Sequence, residues 1–236
     1  MDDRDHQAIY RSDTERYEAL VAREDYQHHI LPALNRICRL DDLTVIELGA
    51  GTGRVTRLVA PLVQSIRAFD RSGTMLAVAR QKLGEQGSSS WSLGIADHRF
   101  LPVETATADL VISGWSLCYL VTWHPDTWRS ELSQALAEIK RVLRPSGTIV
   151  LLETQGTGHE TPNPPANLLP YYDFLENEAG FAATWIRTDY QFASSAEAVA
   201  LVRFFFGAEL ADQVAAEQLI VLPECTGIWW WREAGQ

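Results

Sequence analysis

Three glycines at every second position, Gly49, Gly51 and Gly53, follow directly on the β-branched run Thr44-Val45-Ile46-Glu47-Leu48. Glycine is needed where the backbone takes positive φ or must lie against a ligand with no Cβ between them. A strand that runs into such a loop, with helix-like sequence behind it, marks the ligand-binding edge of an open α/β sheet. The spacing discriminates among ligands. A dinucleotide fingerprint would read GxGxxG, but Arg54 stands where its third glycine should be, which disfavours a nicotinamide dehydrogenase. No Gly-Lys-Ser or Gly-Lys-Thr follows, so a phosphate-cradling loop of that type is excluded.

Two acids continue the pattern. Asp70 closes the next strand-like run, Ser65 to Phe69, at the distance where a carboxylate accepts hydrogen bonds from both ribose hydroxyls of a nucleoside. Asp97 follows a weaker third run, Trp91 to Ile95, and an acid there can accept from an exocyclic adenine amine. After a fourth run, Asp109 to Ile112, Ser113-Gly114-Trp115 supplies small residues and an aromatic ring. Glycine loop, two acids and small turn therefore fall in order along one sheet edge.

The elements that must hold them alternate. Helix-like spacing covers 13–40 (one or two amphipathic helices), 54–62, 74–83 and 127–143, the last with Asp126 as the expected N-cap. Pro145-Ser146-Gly147 breaks that helix, and Thr148 to Leu152 reads as a fifth strand. This rhythm argues for a parallel sheet covered on both faces. A loop over 155–167 interrupts it. Beyond lie a helix at 168–179, a strand at 184–192, a helix at 195–206 with capping-box spacing between Ser194 and Glu197, a helix at 208–218 and a last strand at 225–231.

The whole chain has 236 residues, 46% of them apolar, and a formal net charge of −11. That length suits one domain with a core of its own. The acidity argues against nucleic-acid partners and anionic membrane surfaces. Three scattered cysteines, Cys38, Cys118 and Cys225, form no CxxC pair and fit a reducing compartment. The charged start, Met1-Asp2-Asp3-Arg4-Asp5, is unlike a signal peptide, and the expected location is the cytoplasm.

The glycine loop, Asp70, Asp97 and the stretch Leu136 to Gly147 together resemble the class I S-adenosylmethionine-dependent methyltransferases, in particular the small-molecule methyltransferase type 11 group. The likeness spans Leu43 to Glu153, with Ser146 a mild departure where that group usually has glycine. It implies a Rossmann-like α/β fold, doubly wound, with a seven-stranded mostly parallel sheet and an antiparallel last strand. A single domain over 1–236 would divide into an N-terminal helical lid (1–42), a cofactor-binding core (43–154) and an acceptor-side half (155–236) with a helical insertion (193–222). The cofactor would be S-adenosylmethionine, leaving as S-adenosylhomocysteine. Gly49, Gly51 and Gly53 would contact its methionine part, Asp70 the ribose and Asp97 the adenine amine, while Glu47 would hold the amino group indirectly. Neighbours of these positions, Ala50, Arg71, Met75, Ala96, His98, Ser113 and Trp115, would complete the site, with Tyr17 reaching over from the lid. No metal is expected.

Methyl transfer from a sulfonium needs mainly in-line positioning and exclusion of water, so a fixed base is optional. His159, just past the fifth strand, is the candidate base or acceptor-orienting group. Tyr26, Tyr119, Glu160 and Tyr171 are candidates for the acceptor pocket. Alternation sends Ile228 and Trp230 to one face of the last strand and Trp229 and Trp231 to the other. Asn163-Pro164-Pro165-Ala166 looks like the Asn-Pro-Pro-Tyr motif of methyltransferases acting on planar amines, but follows the wrong strand and ends in alanine; it reads as loop chemistry. The expected partner is a small, flat or hydrophobic molecule, and the protein a monomer or homodimer. A non-catalytic subunit that binds the same cofactor is the alternative.

Overall fold

Aliphatic and β-branched runs build the sheet. In the computed structural model, which describes residues 6–87 and 89–233 apart from the side chains of Gln7 and Arg11, five strands come first: β1 (Thr44–Leu48), β2 (Ser65–Asp70), β3 (Trp91–Ile95), β4 (Ala108–Gly114) and β5 (Leu143–Thr157). With β6 (Ala182–Arg187) and the final β9 (Glu224–Arg232) they form one seven-stranded sheet in the order β3-β2-β1-β4-β5-β9-β6. Six strands run parallel and β9 lies antiparallel between β5 and β6, pairing Val150 with Trp230 and Thr184 with Ile228. This is the Rossmann-like, seven-stranded and mostly parallel sheet with an antiparallel last strand that the resemblance implies. The outer ends of the lid and acceptor-side segments, 1–5 and 234–236, lie outside the described residues.

Both faces are covered. On one, α3 (Ile30–Ile37) and α4 (Arg54–Val59) bury Leu34, Val55 and Val59 against Val45, Leu110, Val150 and Ile228. On the other, α7 (Trp128–Val142) buries Leu132, Leu136 and Ile139 against Ile46, Val111, Ile149 and Trp229. The tryptophan alternation is therefore two-sided burial: Trp229 and Trp231 face one layer, Trp230 and Ile228 the other. Trp229 also donates its indole N–H to Glu176 at 3.0 Å. Helix α5 (Gly73–Gln86) follows β2, with Ser72 capping it by accepting from the Met75 N–H.

A third core lies above the carboxyl edge of the sheet. Helix α9 (Ser195–Phe205) and α10 (Ala208–Glu217) pack with α2 (Thr14–Val21) around Leu20, Tyr190, Val202 and Val214. Ser194 and Glu197 make the capping box: Ser194 Oγ accepts from the Glu197 N–H, and Glu197 accepts from the Ala193 N–H. Full burial of Leu20 stabilises this contact by about 2 kcal/mol. Helix α1 (His6–Ser12) extends the same layer. The insertion and the N-terminal helices together make a roof over the strand ends.

Several boundaries differ from the sequence reading. The 13–40 segment is broken at Asp25 and His28, both with positive φ, and the Asp25 carboxylate caps α3 by accepting from His29 and Ile30 N–H. Asp126 does not cap α7; Thr127 occupies the N-cap position and makes no side-chain bond there. Helix α6 (Cys118–Trp123) gave no distinct signal, being too short and uniformly apolar to show a period. Strand β5 runs five residues past Leu152 because β9 continues to pair with it as far as Thr157. The 184–192 strand is two pieces, since Tyr190–Gln191 (β7) leaves the main sheet and pairs with Val221–Leu222 (β8). The 168–179 helix is a short 3₁₀ turn, α8 (Leu169–Asp173) and a π turn. No helix of the described residues is long and apolar enough to cross a membrane.

Candidate functional site

The glycines of the β1–α4 loop are forced by the geometry around them. All three have positive φ: 66° at Gly49, 53° at Gly51 and 84° at Gly53. A Cβ on Gly49 would stand 1.8 Å from Ser116 Oγ and 2.3 Å from Ser116 Cβ. Asp70 ties the loop down. Its Oδ2 accepts from the Gly51 N–H at 2.9 Å and its Oδ1 from the Ser72 N–H at 2.7 Å, linking the loop to the start of α5. Burial raises the Asp70 carboxyl above the usual range, opposed by those two donors and by Arg71.

Glu47 lies one residue before the end of β1 and is buried. It accepts from Thr56 Oγ1 at 2.5 Å, and burial pushes its carboxyl up to about 8 despite that bond. A buried carboxyl with a raised folded-state pKa destabilises the fold as pH rises. Below about 4.5 both states are protonated; between about 4.5 and about 8 the unfolded chain ionises first, and stability is lost across that window. Glu47→Gln keeps an acceptor for Thr56 without the charge. It is expected to melt above the wild type at pH 9, by about 1–4 kcal/mol in stability, and level with it near pH 4. Calorimetric melts across pH check this; a gap independent of pH overturns it.

The next strand end carries Asp97 and His98. Asp97 accepts from Arg99 Nε and Nη2, both at 2.7 Å, and Arg99 also reaches Glu131. The guanidinium holds the Asp97 carboxyl down at about 2. His98 is buried, its Nε2 lies 3.1 Å from Ser116 Oγ, and burial lowers the ring to about 4. The imidazole is therefore neutral at pH 7.

These groups floor a cavity of about 1060 Å³. That lies at the upper end of the ~300–1,000 Å³ usual for ligand pockets, enough for two small molecules side by side. The roof consists of His6 and Tyr10 from α1, Tyr17 from α2, and Phe205 with Phe206 from the end of α9. His6 stacks on Phe205 with ring centroids 4.7 Å apart, and the Tyr10 hydroxyl bonds that of Tyr119. The Tyr10 carbonyl accepts from Thr74 Oγ1 at 3.3 Å, joining the roof to the floor. Tyr119 stacks on Trp123 at 4.7 Å to form an aromatic wall.

Most residues singled out in the sequence meet here. Tyr17, Glu47, Gly49, Ala50, Gly51 and Asp70 line the cavity. So do Arg71, Met75, Asp97, His98, Trp115, Tyr119 and His159. His159 sits exposed at the rim, its Nε2 2.9 Å from the Asn163 side-chain amide. The Asn163-Pro164-Pro165 stretch, read as plain loop, also borders the cavity.

Six do not line it. Gly53 packs instead: a Cβ there would meet Ala79 Cβ at 3.1 Å, so this glycine serves the α4–α5 contact. Ala96 is buried, its N–H continuing the β2–β3 ladder to the Asp70 carbonyl. Ser113 is buried beside Leu48 in the β1–β4 pairing. Tyr26 lies in the α2–α3 connection, on a smaller hollow that adjoins the cavity through Val21, Glu24, Thr52 and Arg54. Glu160 is exposed, its carbonyl accepting from Arg187. Tyr171 is fully buried in the core, where its hydroxyl donates to Glu153 at 3.1 Å. An aromatic ring with one polar tip fits a core as well as a pocket, and its position in the chain does not tell which.

The residues that sequence reasoning missed come from scattered elements. Glu24, Arg54, Ser116, Tyr190 and Glu224 all border the cavity. No motif links them.

A family model for a methyltransferase domain matches residues 46–151, the span from β1 into β5 that supplies the cavity floor. Over that span the chain is similar to methyltransferase domains. Curated relatives agree: an uncharacterized methyltransferase of Schizosaccharomyces pombe is 31% identical over 61% of this chain and 51% of its own. A demethylmenaquinone methyltransferase of Lactococcus lactis is 30% identical over 63% of this chain and 58% of its own. The chain thus spans about half the length of the curated relatives it matches. Among solved structures, the YcgJ protein of Bacillus subtilis shares the fold of this chain with a TM-score of 0.59 and 15% identity, covering 89% of this chain and all of that one. Among the described residues, no group of three or more His, Cys, Asp or Glu side chains is arranged to hold a metal ion.

Proposed function

We propose that this methyltransferase domain transfers a methyl group from S-adenosylmethionine to a small organic acceptor by in-line displacement. The observation that carries the reading is the single floor formed by the Gly49–Gly51 loop, Asp70 and Asp97 beneath one cavity. The residues present suit that cofactor. Asp70 spends one bond of each oxygen on backbone N–H groups, leaving further lone pairs for two ribose hydroxyls. The Gly51 backbone has no Cβ to hold a ligand away. Asp97, kept ionised by Arg99, is an acceptor for an adenine amine. Glu47 offers a buried carboxyl that a nearby ammonium would ionise.

When bound, the cofactor supplies a methyl already activated on a cationic sulfur. The chain's own work is then to orient and to exclude water. The aromatic roof and the Tyr119–Trp123 wall do both, and they favour a flat or hydrophobic acceptor; a relative named for a quinone acceptor points the same way. His159 at the rim is the ring available if the acceptor must lose a proton. Residues 1–42 act as the lid and 155–236 as the acceptor side of one domain.

The test is incubation with methyl-labelled cofactor and a metabolite extract. Label is expected in a small-molecule fraction. Cofactor binding without any transfer would favour the non-catalytic subunit instead.

A further inference from the structure

Where β5 and β9 run on together to the cavity, Glu224 is a buried carboxyl that the floor does not use. It opens β9 opposite Thr157 and borders the cavity. Its backbone N–H donates to Asp189 Oδ1 at 3.0 Å, and Asp189 is held in turn by Arg187 at 2.8 Å. Its Oε1 accepts from Thr154 Oγ1 at 2.9 Å, while Oε2 is buried with no partner among the described residues. The neighbouring carboxylate is better supplied. Glu24 accepts from Arg54 Nη1 at 2.5 Å, from the Tyr190 hydroxyl at 2.8 Å and from Thr188 Oγ1 at 3.1 Å. Burial and that neighbour push the Glu224 carboxyl up, opposed by the Thr157 and Thr154 hydroxyls and by Arg54.

A carboxyl oxygen left bare beside a cavity calls for a donor, and a carboxylate without a cation calls for a charged one. The walls suit the same ligand. Tyr190 and Phe206 border the cavity with their rings edge to face, 5.8 Å apart, and aromatic faces attract cations. Phe205 and Leu210 add apolar surface for the body of the ligand. We propose that the methyl acceptor is an amine on a small apolar or aromatic body, and that Glu224 binds its ammonium and takes one proton from it. The inference rests on the proposed function and names the acceptor atom and its base.

An ammonium has no lone pair to attack with, so one N–H bond must break first. Glu224 Oε2 takes that proton, and a carboxyl whose proton affinity burial has raised suits the transfer. The freed nitrogen pair forms the new N–C bond as the C–S bond breaks, its electrons going to sulfur. The sulfonium becomes a neutral thioether and the amine a methylammonium. The proton on Glu224 passes to water as the product leaves. His159 stays at the rim and serves acceptor entry.

The test uses methyl-labelled S-adenosylmethionine, a metabolite extract and partition into organic solvent, with a blank lacking protein subtracted. An amine product is expected to enter the solvent at about pH 11 and to stay in water at about pH 2. Label that enters the solvent at the acid pH belongs to a methylated oxygen, sulfur or carbon, and overturns the proposal while the proposed function stands. S-adenosylhomocysteine binding with no label in any product removes the proposed function and this inference with it. Glu224→Gln is isosteric and keeps an acceptor for Thr154; a thermal melt establishes that it folds. It is expected to form labelled amine about 100-fold more slowly, yet to bind S-adenosylhomocysteine within about threefold of the wild type. Unchanged amine output, or a tenfold or greater loss of S-adenosylhomocysteine affinity (roughly 1.4 kcal/mol), overturns the role of Glu224. If the variant does not fold, the partition of label formed by the wild type still decides the acceptor class.

Discussion

Asp70→Asn is expected to weaken S-adenosylhomocysteine binding by about 100-fold or more. The carboxylate accepts the Gly51 and Ser72 N–H groups with separate oxygens, at 2.9 and 2.7 Å. Asparagine offers one oxygen, so its amide nitrogen must face one of those N–H donors. That donor loses its partner, and the loop that Asp70 holds to the start of α5 is released at one point. The substitution also removes the charge proposed to receive two ribose hydroxyls. Each charge-assisted bond lost is worth about 1.5–3 kcal/mol, and two of them account for the expected factor. Isothermal titration with S-adenosylhomocysteine measures it. Affinity within threefold of the wild type would remove Asp70 from the ligand site and leave it a loop anchor.

Gly49→Ala is expected to cost about 2–4 kcal/mol of stability and to abolish binding of the same ligand. The backbone there has φ of 66°, a conformation that costs an alanine about 1 kcal/mol. The larger part is steric. The new Cβ would stand 2.3 Å from Ser116 Cβ, which cannot swing away as the end of a long side chain could. Ser116 would have to move with its backbone, breaking its contact with His98 Nε2 and shifting the β4–α6 turn. Gly84→Ala is the control. Gly84 lies inside α5 with nothing within 4 Å of an added Cβ, so alanine there should stabilise by about 0.5–1 kcal/mol. Denaturant titration of the two variants compares them directly. Equal effects would mean that the loop glycine is replaceable.

Both variants probe features already legible in the chain. A strand that runs into alternating glycines marks Gly49, and the end of the next strand at nucleoside distance marks Asp70. Gly53 belonged to the same triplet for a different reason, its contact with Ala79. The spacing could not separate a glycine that faces a ligand from one that lets two helices meet. Tyr171 and Tyr119 illustrate the limit on the acceptor side. Each is a tyrosine in an apolar stretch, yet one is sealed beneath the core on Glu153 and the other stands in the cavity wall. Which way such a ring faces depends on neighbours far away in the chain.

Local chemistry is what the sequence determined by itself. The glycine loop, the acids at the strand ends, the alternating elements and the two-faced tryptophans of β9 are set by periodicities of two and about four and by backbone needs of single residues. Those constraints act over a few residues, so they can be read in order along the chain. The charged end of the cavity was decided by tertiary structure alone. Glu24 follows α2, Arg54 opens α4, Tyr190 lies in β7 and Glu224 starts β9, and they meet because the roof helices fold back over the sheet edge. Their meaning lies in which atoms are left without a partner, and that exists only once every other group has taken its own.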